Sequence, residues 1–368
     1  MIPFSDPFAS YKRHKKEVDE AVKRVLDSGW YVLGEEVEAF EEEFASYHGK
    51  NLHAVGVANG TDAIALCLRG LGLEKGHEII TPSHTAVATV AGIEQAGCSP
   101  VFADIELSSR CISYKSIEKR IGPKTRAIMP VHIYGQPANM PKIMEIAKSY
   151  GLEVIEDCSQ AHGAEMYGQK VGTFAKISAF SCYPTKNLGG IGDGGVILCH
   201  SKQFAEKIKS IRQYGWNEKR ESITPGLNSR LDELQAALLR VKLKHLSSDN
   251  KRRRSIAQRY NNAFEKLPIT LPSLHENQLH AMHLYVIGCD ERNELMKYLR
   301  ANQIGASLHY HLAVHQQTAF CNRIKGGDDL PVTEEFYEKN LTLPIYPEIA
   351  NESVEYIISK VKNWFKQN

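Results

Sequence analysis

The densest concentration of residues able to do chemistry is the stretch Phe180-Ser181-Cys182-Tyr183-Pro184-Thr185-Lys186-Asn187-Leu188-Gly189-Gly190-Ile191-Gly192-Asp193-Gly194-Gly195. One lysine, Lys186, is followed by five glycines within nine residues. A lysine held where strands meet, with little side-chain bulk around it, loses water. That lowers its pKa and frees the amine to attack a carbonyl. The glycines permit positive φ and close approach of backbone to a bound group. Taken alone, the stretch fits equally a flexible hairpin carrying a solvated lysine. Gly190-x-Gly192-x-x-Gly195 matches the dinucleotide fingerprint as a pattern, but a β-rich run, Val196–Cys199, follows it where a helix is required. Lys186 precedes the glycines, so the phosphate-loop pattern is absent as well.

Three more sites have residue types suited to the same chemistry. Gly60-Thr61 stands at a strand-to-helix turn, where unpaired N–H groups and the positive end of a helix dipole suit a phosphate; an ordinary N-cap is the plainer reading. His84, in Thr81-Pro82-Ser83-His84-Thr85, follows a strand at the end where open α/β sheets bind ligands; a satisfied interface histidine reads equally well. Asp157 closes the apolar run Leu152–Glu156. Glu156 and Asp157 together suggest metal ligands, yet no histidine or third carboxylate has ligand spacing nearby along the chain, and no metal is expected. Cys158 and Cys182 lie beside these residues and read as small core side chains.

The elements that must position these groups alternate. Strands are expected at Ala54–Val57, Glu78–Thr81, Pro100–Ala103, Arg126–Val131, Leu152–Glu156, Ile177–Ser181 and Val196–Cys199. Helices are expected at Lys15–Ser28, Glu35–Tyr47, Thr61–Leu73, Thr85–Ala96, Tyr114–Ile121, Met140–Tyr150 and Gln203–Tyr214. The alternation implies an α/β fold, a mostly parallel seven-stranded sheet between layers of helices. Residues 1–14 read as an extended arm. After the polar stretch Gly215–Arg230 come helices at Leu231–His245 and 249–266. The pattern then turns α+β, with strands near Leu284–Gly288 and Ala306–Leu308 and helices at 290–302 and 351–366. Two domains are expected: 1–246, carrying the arm and the sheet, and a smaller one over 247–368.

With 368 residues, 42% hydrophobic and 24% charged, the chain has the composition of an ordinary globular protein with a large core. The net charge of +2 favours no strongly charged partner. The basic run Lys251–Arg254 reads as a solvated helix face, without the interleaved aromatic residues a nucleic-acid surface would show. No apolar run reaches membrane length, and the first residues lack a signal-peptide layout. The eight cysteines form no C-x-x-C pair, which points to reduced thiols and a cytoplasmic protein.

The Lys186 stretch resembles the lysine segment of the DegT/DnrJ/EryC1/StrS sugar aminotransferases. These are fold-type-I enzymes that use pyridoxal 5'-phosphate. The resemblance extends to Asn59-Gly60-Thr61-Asp62-Ala63, to Glu156-Asp157-Cys158-Ser159-Gln160-Ala161-His162-Gly163 and to Gly226-Leu227-Asn228-Ser229-Arg230-Leu231-Asp232-Glu233-Leu234-Gln235-Ala236-Ala237. It also takes in Arg212-Gln213-Tyr214-Gly215 and His309-Tyr310-His311. It implies that Lys186 carries the cofactor and that Asp157 pairs with the pyridine nitrogen. Gln160 would bond the ring oxygen, and His84 would stack on the ring. Gly60, Thr61 and Ser181 would hold the phosphate, joined by Asn228 from the neighbour in a homodimer with shared active sites. Tyr183, His309, Tyr310 and His315 fall on the substrate side. Two departures stand out: Trp216-Asn217 follows Arg-Gln-Tyr-Gly, and His311 replaces a proline.

The implied reaction is transamination of a nucleotide-linked keto-sugar with glutamate, which becomes 2-oxoglutarate. The lysine segment is most similar to relatives that aminate C3, which suggests a dTDP-3-keto-6-deoxyhexose. A C4 aminotransferase and a UDP-linked 3-keto sugar are the alternatives. A non-catalytic regulatory relative is disfavoured by the intact lysine and by the lack of an appended DNA-binding unit. Lys186 also separates the chain from the related sugar dehydratases, in which histidine takes that place.

Overall fold

The computed structural model describes residues 1–274 and 276–367. Seven strands form the central sheet: β1 (His53–Val57), β2 (Glu78–Pro82), β3 (Ser99–Ala103), β4 (Thr125–Ile128), β5 (Glu153–Asp157), β8 (Ile177–Ser181) and β9 (Gly195–Cys199). The short pair β6 (Glu165–Met166) and β7 (Gln169–Lys170) joins β10 (Gln278–Leu279) in a separate sheet, and β11 (Tyr285–Gly288) pairs with β12 (Asn340–Leu343). The central order is β1-β9-β8-β5-β4-β2-β3. β3, β2, β4, β5 and β8 are mutually parallel, and β9 runs antiparallel between β8 and β1. All seven strands expected from the apolar runs are present. Most shift by a residue or two, while the expected strand Arg126–Val131 stops at Ile128.

Buried apolar side chains fill both faces of this sheet. The helix Gly60–Gly70 is covered almost all round, with Ala63, Ile64, Leu66 and Leu68 against the sheet core. On the opposite face Phe40 and Phe44, from the helix Glu35–His48, meet Phe180 of β8. Each such side chain contributes about 2 kcal/mol through its removal from water.

The parallel strands all end at one edge, which places Asp157 and Ser181 as the last residues of β5 and β8, with His84 just past Pro82 of β2. The register pairs Asp157 with Ala179 and Ser181 with Gly195. Residues 182–194 are therefore the connection between two antiparallel neighbours, and Lys186 sits inside it. Within that loop Lys186 N–H bonds the Tyr183 carbonyl and Gly190 N–H the Cys182 carbonyl, both at 2.8 Å. A Cβ on Gly189 would lie 2.5 Å from the Pro184 oxygen, so the turn closes only around glycine.

Four expectations differ from what is observed. The N-terminal arm contains a helix, Pro7–Arg13, whose Asp6 cap accepts Ala9 N–H at 3.0 Å. Proline at the first helical turn initiates it instead of breaking it. The helices expected at Leu231–His245 and 249–266 are one helix, Glu233–Phe264. Ser247-Ser248-Asp249 are weak helix formers, but tertiary contacts carry the helix past them: Asn250 is buried and donates to the His162 carbonyl. Arg253 of the basic run is likewise buried and donates to the Ile345 carbonyl at 2.9 Å, so that helix face is not wholly solvated. Near Ala306–Leu308 there is only an isolated bridge from Ser307 to Thr342, and Asn340–Leu343 supplies the strand.

Gly195 faces the helix start closely: a Cβ there would lie 2.3 Å from the Asn59 carbonyl oxygen. Gly195→Ala is expected to lower stability by about 1–3 kcal/mol through overpacking. At Gly122 the nearest atom to a Cβ is Lys325 Nζ at 3.7 Å, and Gly122→Ala should stay within about 0.5 kcal/mol of the parent. Urea unfolding at one fixed protein concentration measures both, and equal effects at the two positions would refute the close-contact account.

Candidate active site

The place expected to hold a phosphate is the start of the helix Gly60–Gly70. Its cap, Asn59, spends its side-chain oxygen on Asp62 N–H at 2.8 Å, and its carbonyl accepts Ala63 N–H. The Gly60 and Thr61 N–H groups have no partner within the helix. Ser181 comes from β8 to the same place: a Cβ on Gly60 would stand 2.6 Å from Ser181 Cβ. Any side chain at position 60 would fill this cradle.

Asp157 is buried at the end of β5. Its Oδ1 accepts Ser159 N–H at 3.0 Å, and its Oδ2 accepts the Thr89 hydroxyl at 2.8 Å. Each oxygen keeps a lone pair for a further donor, such as a protonated ring nitrogen. Thr89 was not foreseen. Its signal was a polar pair four residues apart, Thr85 and Thr89, whose hydroxyls meet at 2.6 Å. Gln160 presents Oε1 to Tyr134 N–H at 2.7 Å and donates Nε2 to the Tyr310 hydroxyl at 2.9 Å, leaving one amide hydrogen uncommitted.

Lys186 is partly covered. Burial pulls its amine down from 10.5 to about 8, against the opposing pull of the Asp157 and Cys182 charges. Three imidazoles feel the Lys186 charge and are themselves held neutral, first by burial: His162 at about 3, His309 at about 4, and His283 well below the usual histidine range. An amine titrating near neutrality is available as nucleophile and as proton carrier.

Of the residues expected on the substrate side, Tyr183 is exposed. His309 bonds the Thr342 hydroxyl at 2.9 Å, and its carbonyl accepts the Tyr134 hydroxyl. His315 is buried. Its Nδ1 meets Ser83 Oγ at 2.7 Å, and its Nε2 meets Glu334 Oε1 at 3.2 Å, so neither ring nitrogen is open. His84 departs from the open stacking face expected of it. Its ring is fully enclosed, edge-on to Tyr134, Phe336 and Tyr337, and its nitrogens have no partner among the described residues. The helix Pro331–Lys339 brings those two rings, from a part of the chain that spacing could not connect to His84. Asn228 is exposed and pairs with Gln213, while its neighbour Ser229 accepts Ala58 N–H at 3.1 Å, close to the phosphate cradle.

Glu156 turns away from Asp157 into a buried cluster with His132 and Cys158 that linear spacing did not reveal. Its carboxylate accepts Gly172 and Ala175 N–H, each at 2.7 Å, and faces His132 Nε2 at 3.1 Å. His132 Nδ1 accepts Ala138 N–H, so Nε2 carries the proton. These donors already occupy the carboxylate, and they hold the β5 end that carries Asp157.

A lysine whose amine burial pulls down to about 8, near a buried carboxylate and a helix N-terminus, fits an enzyme of amine–carbonyl chemistry on a fold-type-I scaffold. The chain belongs to the DegT/DnrJ/EryC1/StrS aminotransferase family, whose model matches residues 12–362. It is 41% identical over 364 residues to the dTDP-3-amino-3,4,6-trideoxy-alpha-D-glucose transaminase of Streptomyces venezuelae, covering 99% of this chain and 96% of that one. It is also 41% identical to the dTDP-3-amino-3,6-dideoxy-alpha-D-galactopyranose transaminase of Aneurinibacillus thermoaerophilus, over 99% of both chains. The crystal structure of DesV from S. venezuelae superposes with a TM-score of 0.96 at 41% identity, covering 99% of this chain and 98% of that one.

In the protein without cofactor, Lys186 should react with an amine-selective reagent along a profile that inflects near pH 8, well below the 10.5 of an ordinary lysine. Because the folded state binds fewer protons between those two values, this lysine makes stability rise with pH across that window. Asp157→Asn removes the charge that favours the protonated amine, so the inflection should move lower. Peptide-resolved reductive methylation reads it, and an inflection at the ordinary lysine value would refute the desolvation account.

Proposed function

We propose that this chain transfers an amino group from glutamate to a nucleotide-linked keto-sugar, with Lys186 carrying pyridoxal phosphate. The observation that carries the reading is the placement of Lys186, in the loop that leaves β8, at the same sheet edge as Asp157, buried at the end of the neighbouring β5. When bound, the cofactor supplies an aldehyde to the amine and an electron-withdrawing ring. The residues then have separate tasks. Gly60, Thr61 and Ser181 hold the phosphate by N–H and hydroxyl donors at a helix N-terminus. Asp157, oriented by Thr89 and Ser159, holds a proton on the ring nitrogen. Gln160 offers its remaining amide hydrogen to the ring oxygen. His84 walls the site beneath the ring, since its face is already covered. The freed Lys186 amine carries the proton to and from the reacting carbon, and its tether keeps it within reach.

Tyr183, His309 and Tyr310 take the sugar side, and His315 acts from behind through Ser83. The substrate is a dTDP-3-keto-6-deoxyhexose and the product its 3-amino sugar. The likeness to two relatives named for dTDP-3-amino sugars supports this. The enzyme works as a homodimer in the cytoplasm, with Asn228 completing the neighbour's phosphate site. The exposed Leu26, Trp30, Tyr31 and Val32 give apolar area for that contact, and the free state of all eight cysteines suits a reducing compartment. The division into 1–246 and 247–368 places its junction inside the helix Glu233–Phe264.

Run in reverse with 2-oxoglutarate, the enzyme should consume a dTDP-3-amino-3,6-dideoxyhexose. Turnover of the 4-amino isomer alone, or of UDP-linked sugars alone, would overturn the substrate assignment. Lys186→Ala should lose the borohydride-reducible cofactor linkage, and Asn228→Ala should weaken cofactor binding. Mixing these two inactive or impaired proteins should restore part of the activity, because hybrid dimers assemble one site free of both changes. A fully active monomer by light scattering would refute the shared site.

A further inference from the structure

Asn187 follows the reactive lysine, and its whole side-chain amide is engaged. Nδ2 donates to Asn250 Oδ1 and to the Ala281 carbonyl, each at 2.8 Å. Oδ1 faces His283 Nδ1 at 3.2 Å. Both amide hydrogens are spent, so Oδ1 only accepts, and the proton on the neutral His283 ring must sit on Nδ1. Asn250 is oriented by the same logic, since its Nδ2 donates to the His162 carbonyl at 2.7 Å. The partners come from three distant parts of the chain: the long helix, the segment entering β11, and the segment after β5. None of the lock's members is charged, while Asp6, Lys242, Asp249, Arg253 and Glu348 line the cavity that Lys186 and Asn187 share. The ionisable groups that exchange influence with Lys186 are Asp157 and Cys182 on one side and His162, His283 and His309 on the other.

We propose that Asn187 is the positioning residue of Lys186: a charge-free hydrogen-bonded lock with Asn250, Ala281 and His283 fixes where the 182–194 loop delivers the amine. The proposal deepens the reading of Lys186 as the cofactor-bearing residue. The lock lies on the side of the loop that faces the long helix and β11, so Asn187 acts through Lys186 and is not itself catalytic. A free loop would let the amine rehydrate, which moves its pKa back toward the ordinary lysine value.

The test reads Lys186 methylation against pH in the full-length protein without cofactor, so it bears on the lock independently of how the cofactor binds. Thermal midpoint, kcat and KM are recorded on the loaded enzyme. Asn187→Ala should move the inflection up from about 8 by about one pH unit and lower kcat by about 10-fold or more, with KM within about 3-fold. Asn187→Asp should move it further, because a carboxylate now favours the charged amine and cannot donate to Asn250 or Ala281. His283→Leu tests the lock from its other side and spares the two amide donor bonds. It should shift the inflection in the same direction, whereas His283→Asn, whose amide nitrogen stands where Nδ1 stands, should restore it. If Asn187→Ala and His283→Leu lower the thermal midpoint but leave the inflection and kcat per folded molecule unchanged, the lock is merely structural and the proposal is overturned.

Discussion

The removal of one lysine amine from water is the constraint on which the rest of the structure depends. An ammonium group is stable only where water or counter-charge solvates it. Around Lys186 the protein withholds most of both. The loop is closed by main-chain bonds and glycines, three imidazoles nearby are too buried to carry charge, and the facing carboxylate is already engaged by Thr89 and Ser159. Asp157 limits how far the amine falls. The result is a group poised between its two protonation states, as amine–carbonyl exchange requires.

Holding such a group still requires rigid surroundings. The sheet provides the frame, with β5 and β8 in register so that Asp157 and Ser181 emerge at one edge. Behind that edge Glu156 is gripped by two main-chain N–H groups and His132, which locks the strand end without exposing a second charge to the site. The loop that bears Lys186 is fastened at several points. Asn187 ties it to Asn250 and Ala281, Gln235 accepts Ile191 N–H at 2.9 Å, and Lys242 donates to the Gly189 carbonyl at 2.6 Å. The last two contacts come from the helix Glu233–Phe264, which links the lysine loop to the C-terminal part of the chain.

The segment proposed for the substrate side is assembled differently. His309, Tyr310 and His315 come from a segment that is irregular apart from one short helical turn, and side chains elsewhere hold it in place. Tyr134 and Gln160 grip one end, and Ser83 grips the other through three bonds to Val314 and His315. Irregular segments fastened at both ends vary more readily than strands between relatives.

Local pattern was enough to determine the seven strands and most helices, because each buries an apolar face with its own period. It also singled out candidate chemical residues, since Lys186 among glycines, Asp157 at a strand end and Gly60-Thr61 at a helix start are local statements, while the roles expected of them came from the family resemblance. It misread places where distant contacts override local preference. The helix through Ser247-Ser248 persists because Asn250 finds His162, and Arg253 is buried because three carbonyls receive it. Only the tertiary structure decided that His84 is enclosed, that His315 is a buttress between Ser83 and Glu334, that Glu156 turns toward His132, and that Asn187 is tied to Asn250, Ala281 and His283. The hydrogen bonds among them join residues from 19 to 232 positions apart. No spacing rule along the chain encodes them, because they depend on which side chains the packed helices and sheet bring to one point.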